Sequence, residues 1–169
     1  MAQKGYLKKN GQFVGPDKAY NSFEIINYKE LILNCFKKYS ISSVLDYGSG
    51  ASNWYEKNFH NQMSAIEYFN LKEVVTYEPA REKNLTKKLD CVVCFDVLEH
   101  IYINDLKNVI NHIYENAQKL VVINIACFPA KALLPNGENA HITIRPPIWW
   151  KGYLDNISTD YPHINSLLL

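Results

Sequence analysis

Long hydrophobic runs are missing from this sequence. No stretch approaches the roughly 18 consecutive apolar residues of a membrane span, and the opening MAQKGYLKKNGQ lacks the apolar centre of a secretory signal. Both absences lead to the expectation of a cytoplasmic protein. An excess of one charge is missing too. Lysine and arginine total 18 against 17 acidic residues, for a formal net charge of +1. So even a balance exerts no long-range pull toward nucleic acid or an anionic membrane, and nothing resembles an RNA-binding module. Cysteine is scarce, at four residues. Cys91 and Cys94 spell C-x-x-C, but they lie in LDCVVCFD, an apolar run that reads as a buried strand. Strand residues three apart point to opposite faces. The pair is therefore ill suited to share a metal or a disulfide, and no second pair completes a zinc site. All four cysteines are expected as small core residues.

What is present suits one globular domain. The chain has 169 residues, 47% hydrophobic and 21% charged, enough for a single core and unlike a disordered chain. Residues 1–20 are polar, carry Lys4, Lys8, Lys9 and Lys18, and are expected as an irregular solvated arm. Residues 21–169 are expected as one domain. Apolar groups at Ile25, Ile26, Leu31, Ile32, Cys35 and Phe36 predict an amphipathic helix over 23–39, with Ser22 as its cap. Residues 43–47, 73–77, 89–95 and 120–126 read as strands, 53–69 as partly helical, and 104–117 as a helix. H-I-T-I-R at 141–145 reads as a further short strand. A helix opened by Pro146-Pro147 and a final apolar segment at 165–169 follow. Short apolar strands alternating with helices predict an α/β fold, with a mostly parallel sheet covered by helices on both faces.

Three strand ends carry the chemistry. The first runs into V-L-D-Y-G-S-G-A, where Gly48 and Gly50 let backbone approach a ligand closely. Ala51 and Ser52 follow, so the third glycine of the dinucleotide fingerprint is absent. That argues against a nicotinamide or flavin cofactor, whose pyrophosphate needs the full loop and helix N-terminus. S-adenosylmethionine (SAM) has no phosphate and tolerates the shorter turn, with Asp46 offering a carboxylate to its cationic methionine end. The second strand ends in Tyr77-Glu78-Pro79, where Glu78 can accept hydrogen bonds from ribose hydroxyls. The third runs into F-D-V-L-E-H-I. Asp96, Glu99 and His100 are therefore expected to face the same crevice, beyond the carboxyl ends of the strands.

This combination resembles the class I SAM-dependent methyltransferases over roughly residues 43–125. A narrower set is similar to a group of short methyltransferase-like proteins of bacteria and phages: Y-G-S-G, Y-E-P-A, F-D-V-L-E-H-I, I-A-C-F-P-A-K, L-P-N-G-E-N-A-H-I-T-I-R-P-P and the following W-W. In that group the final block reads close to L-P-D-G-R-N-A-H-x-T-x-R-P-P-x-W-W. The resemblance implies a Rossmann-like sheet of about seven strands, with SAM over the first two. It implies cofactor contacts from Asp46, Gly48, Gly50, Glu78, Pro79, Phe95, Asp96 and Val97. Eleven residues separate Glu78 from Asp90, too few for the usual extra helix and strand. A reduced class I methyltransferase core is therefore expected, with adenine contacts from Pro79, Phe95 or Val97. The terminal hairpin is in doubt, because the chain stops near the sixth strand. The activity implied is methyl transfer to a small-molecule acceptor. The alternative is a SAM-binding regulatory or interaction protein without catalysis.

On the acceptor side, an in-line displacement needs a close, aligned acceptor and exclusion of water. A base is needed only where the acceptor must lose a proton, and the candidates are His141, His100 and Tyr102. The D-x-x-E-H spacing also brings Asp96, Glu99 and His100 to one face of a helical turn. With His141 from a later loop they form a candidate set for a divalent ion such as magnesium or manganese. Some metal-dependent class I methyltransferases, acting on RNA 2′-hydroxyls or quinone-like acceptors, look similar there, with E-x-x-E-H. Many metal-free relatives also carry D-V-L-E-H. The segment from Leu134 to Trp150 is expected to form the acceptor side, with Arg145, Trp149 and Trp150 supplying charge and flat apolar surface or packing into the core. Base-amino methylation of DNA is disfavoured, because the strand before Val97 lacks the Asp/Asn-Pro-Pro-aromatic motif of that class.

Overall fold

The structure, a computed structural model, describes residues 6–7, 11–15, 23–79, 85 and 87–169. Lys4, Lys8, Lys9 and Lys18 of the arm and the expected Ser22 cap lie outside the described residues. Inside the arm, β1 (Tyr6–Leu7) pairs antiparallel with β2 (Phe13–Val14), so the segment holds a short ladder as well as irregular chain. The helix predicted over 23–39 divides into a 3-10 turn at Glu24–Tyr28 and α1 (Lys29–Lys38), with Ile25, Ile32 and Phe36 turned inward. Next come β3 (Ser43–Tyr47), α2 (Ala65–Tyr68) and β4 (Glu73–Tyr77). They are followed by β5 (Leu89–Phe95), α3 (Leu106–Glu115), β6 (Ala117–Asn124), α4 (Pro147–Ser158) and β7 (Asn165–Leu168). The short α2 starts in a reciprocal capping box, Ser64 accepting from the Glu67 backbone and Glu67 from the Ser64 backbone.

Strands β3 to β7 form one sheet in the order β4-β3-β5-β6-β7, parallel throughout. The chain adds β4 on one side of β3 and then crosses to add β5 on the other. The fold is thus α/β and compatible with a Rossmann-like core. Both faces are covered, which is why β5 reads as a continuous apolar run. One face packs on α3 and α4 through Leu106, Ile110, Trp150 and Leu154. The other packs on α1 and α2 through Ile32, Phe36, Ala65 and Phe69. Cys94 belongs to the first core and Cys91 to the second, so the C-x-x-C pair is split across the sheet. Cys35 and Cys127 are half-buried rather than fully in the core.

Two features differ from the expectations. Among the described residues the sheet has five strands, not about seven, and β7 joins β6 in parallel rather than through a terminal hairpin. Among the described residues no strand lies beyond β4, although 80–84 and 86 are outside them. The second difference is a correction: residues 141–145 form no strand. Thr143 N–H donates to the Glu99 carbonyl at 2.9 Å, and its hydroxyl to the Ile101 carbonyl at 2.6 Å. The apolar alternation of H-I-T-I-R serves a strap laid against the turn after β5, not a ladder. No helix among the described residues is long and apolar enough to cross a membrane.

Asp90 ties the amino-terminal ends of the strands together. Its Oδ2 accepts from Ser42 N–H at 2.8 Å and Ser42 Oγ at 2.9 Å, and its Oδ1 meets Lys119 Nζ at 2.8 Å. Burial pushes this carboxyl up, but Lys119 and the Ser42 bonds outweigh it and hold it below the usual carboxylate range. A depressed folded-state pKa stabilises the fold above the ordinary value, and that stability is lost as pH falls through the folded value. Asp90→Ala should therefore cost about 2 kcal/mol at neutral pH. In urea titrations the deficit against wild type should shrink as pH drops below the ordinary carboxylate range.

Candidate cofactor crevice and adjoining carboxylate–histidine cluster

The change of direction at β3 leaves the loops after β3 and β5 diverging. A cavity of about 380 Å³ lies between them, within the ordinary range of small-molecule sites, roughly 300–1,000 Å³. Its floor is the turn after β3. Gly48 adopts φ +74° and donates its N–H to the Tyr77 carbonyl at 2.7 Å; Ser49 N–H reaches the same oxygen at 3.2 Å. Gly50, at φ +55°, donates to Glu78 Oε2 at 3.1 Å. The two strand ends are thus bolted together by backbone, and Glu78 is held over the glycine turn. A side chain at Gly48 would run into Val97. The glycine is required by its own dihedral and by the loop after β5, before any ligand is considered.

Four carboxylates line the cavity: Glu24, Asp46, Glu78 and Asp96. No lysine or arginine lines it among the described residues. Asp46 accepts from Ser52 Oγ at 2.6 Å and from Trp54 Nε1 at 2.8 Å. Burial pushes its carboxyl above the usual range despite those two bonds, and the Glu78 charge pushes the same way. Asp96 stands in the left-handed region at φ +53°, with its N–H bonded to the Asn124 carbonyl. Burial raises its carboxyl too, and the Glu24 charge adds to this. Like charges crowded in a low-dielectric cleft disfavour an anionic ligand and are relieved by a cationic one. The remaining wall is apolar: Phe23, Ile25 and Trp54 on one side, and Val93, Phe95 and Val97 on another.

Seven of the eight residues expected at the cofactor come together here. Asp46, Gly48, Glu78, Pro79, Phe95, Asp96 and Val97 line the cavity, and Gly50 lies behind it, bonded to Glu78. Sequence reasoning missed Phe23, Glu24, Ile25, Ser49, Ser52 and Trp54 as contributors. The one available signal was the aromatic-rich stretch after the glycine turn, which leaves open which aromatic folds back onto Asp46.

Beside the cavity a second group converges. Glu99 lies in the 3-10 turn Leu98–His100 and is 0% exposed. Its Oε1 accepts the Ala126 N–H at 3.1 Å and lies 4.0 Å from His141 Nε2. Its Oε2 is buried with no hydrogen-bond partner. Burial pushes the Glu99 carboxyl up to about 7. His100 Nδ1 is 2.7 Å from the Ala140 carbonyl, and His141 Nδ1 is 2.5 Å from the Phe128 carbonyl. A carbonyl only accepts, so each Nδ1 carries a hydrogen. Burial keeps His100 below the ordinary histidine pKa. Of the four expected metal ligands, Glu99, His100 and His141 cluster, with donor atoms within 4.8 Å of one another. Asp96 lies outside that cluster and lines the cavity.

The loop before α4 behaves as a cover. Asn139 accepts from the Ala130 and His141 N–H groups and donates to the Ala130 carbonyl, closing residues 130–141 on themselves. Leu134, Ala140 and Ile142 reach the cavity. Arg145, Trp149 and Trp150 do not line it. Trp150 is 0% exposed in the core, and Trp149 stacks on Tyr153 with the Arg145 guanidinium 5.7 Å from its ring. Tyr102 is exposed and points its backbone carbonyl at Asp105; it does not line the cavity either.

No protein-family model, curated protein or solved structure matches this chain. Function therefore rests on the chemistry of the site.

The glycine turn gives a direct test of this geometry. Gly48→Ala should lower stability by about 1–3 kcal/mol, from the left-handed backbone and the Val97 contact together. Adding Val97→Ala should recover only part of the loss, because the backbone strain remains. Denaturant midpoints of the single and double variants decide this; full recovery would mean that Val97 alone imposes the glycine.

Proposed function

We propose that the chain binds SAM in the crevice beyond β3, β4 and β5 and transfers its methyl group to a small acceptor. The observation that carries this reading is the acidic cavity, to which the described residues contribute four carboxylates and no lysine or arginine, floored by a glycine turn with Glu78 over it. SAM carries positive charge on its sulfonium and ammonium groups and no phosphate, so it suits four lining carboxylates where a pyrophosphate cofactor does not. A carboxylate can accept about four hydrogen bonds, so Glu78 can take a ribose diol alongside Gly50. The apolar wall from Val93, Phe95 and Val97 suits a flat base, and Asp46 suits the cationic methionine end.

When bound, the sulfonium supplies an activated methyl: its carbon–sulfur bond breaks with the pair left on sulfur as the acceptor's lone pair forms the new bond. The protein's own part is placement. The Tyr77 carbonyl fixes the glycine turn, and Trp54 and Ser52 fix the Asp46 carboxylate. Leu134, Ala140 and Ile142 cover the opposite side and exclude water. The acceptor side is then the wall shared by His100 and the covering loop.

Glu78→Gln keeps an acceptor for Gly50 and removes the charge. It should weaken SAM at least about tenfold by calorimetry, a loss of roughly 1.4 kcal/mol. Gly48→Val should abolish binding. Unchanged affinity in both folded variants would overturn the placement. Incubation of the pure chain with labelled SAM and cell extract should label a low-molecular-mass product.

A further inference from the structure

We propose that Glu99, His100 and His141 bind one divalent transition-metal ion at the wall of the crevice. The ion's open coordination position takes an oxygen donor. That this donor is a hydroxyl of the methyl acceptor rests on the methyl-transfer reading; the metal site itself does not.

Three observations carry the site. The donors come from two separate segments, the turn after β5 and the covering loop, yet their atoms lie within 4.8 Å of one another. Ligands around one ion at bond lengths near 2.0–2.2 Å sit roughly 3 Å apart, so closure needs shifts of about an ångström. Next, each imidazole donates its Nδ1–H to a backbone carbonyl, Ala140 for His100 and Phe128 for His141. That arrangement fixes the tautomer and ring orientation that present Nε2 to a metal. The third observation is Glu99 Oε2, fully buried with no partner. The nearest imidazole does not satisfy this carboxylate, since 4.0 Å from Oε1 to His141 Nε2 is too long for a hydrogen bond. A buried carboxylate oxygen without a donor is costly to keep, and a cation answers that cost directly.

The donor set also selects the ion. Two imidazoles and one carboxylate suit zinc, manganese or iron(II), whereas magnesium favours an oxygen shell rich in water. The sequence expectation of magnesium or manganese held by Asp96, Glu99, His100 and His141 therefore narrows to three ligands and a first-row transition ion. Three protein ligands leave a position open. His100, Ala140 and Ile142 line the cavity, so that position faces it. A hydroxyl held there would lose its proton more readily to solvent, because the cation stabilises the resulting oxyanion.

The test uses the full, untagged chain, stripped with a chelator and titrated separately with zinc, manganese and magnesium. One equivalent of zinc or manganese should bind and raise the melting temperature, with magnesium at least about 100-fold weaker. Glu99→Gln and His141→Asn should each weaken zinc by at least about 100-fold, the upper end of what even outer-shell changes cost. The Glu99→Gln variant, free of metal, should melt no lower than metal-free wild type. If that variant does not fold, His141→Asn alone decides. Absence of saturable one-to-one binding to wild type, or equal zinc affinity in the folded variants, would overturn the site. SAM titrations on the same samples keep the two readings apart. Zinc binding without SAM binding supports the metal site and counts against methyl transfer; SAM binding without zinc binding does the reverse.

Discussion

A parallel sheet that grows to one side of β3 and then to the other forces the loops after β3 and β5 apart, and that divergence makes the crevice. Everything of chemical interest depends on it. The glycine turn follows β3, Glu78 follows β4, Asp96 and the Glu99 turn follow β5, and the covering loop follows β6. The covering loop reaches the cavity well beyond the end of β6, but the first three groups are short extensions of buried strands. The positions of these groups are therefore set by ladder register, such as Tyr47 opposite Tyr77 and Phe95 opposite Asn124. The apolar cores on the two faces hold that register, and Asp90 locks the strands at their far ends.

On this scaffold the crevice collects negative charge, with no lysine or arginine among the described residues that line it. Carboxylates gathered in a cleft cost stability unless something answers their charge. Asp46 is partly answered by Ser52 and Trp54, and Glu78 by Gly50. Asp96 and Glu99 are left with raised affinities for a proton. The uneven satisfaction divides the site into a hydrogen-bonded part, around Asp46 and Glu78, and a part around Glu99 where one buried carboxylate oxygen has no partner. Proteins give up stability in this manner at binding sites more readily than in structural cores.

The parallel α/β fold and most of the crevice floor were legible in the sequence, because they are encoded locally. Gly48 and Gly50 mark a turn that needs positive φ, and the apolar runs around Leu45 and Val92 mark strands covered on both faces. The spacing of Cys91 and Cys94 alone placed them on opposite sides of the sheet. What was not legible depends on contacts distant in sequence. Trp54 reads as one aromatic among several until its indole meets Asp46. Phe23, Glu24 and Ile25 reach the cavity because the 3-10 turn before α1 packs across the strand ends, which helix periodicity does not encode. H-I-T-I-R alternates like a strand, but its hydrogen bonds go to the turn at Glu99 and Ile101. Trp149 and Trp150 look like a recognition surface in sequence, and only the packing of α4 shows Trp150 to be core.

The central claim is that this crevice selects a cationic nucleoside without phosphate. Its most direct measurement is calorimetric titration of the full chain with SAM, its demethylated thioether product and NAD⁺, under identical conditions. The account predicts saturable one-to-one binding of SAM and of the product, both of which carry the ammonium and the ribose, and no binding of NAD⁺. Binding of NAD⁺ as tight as that of SAM would contradict it.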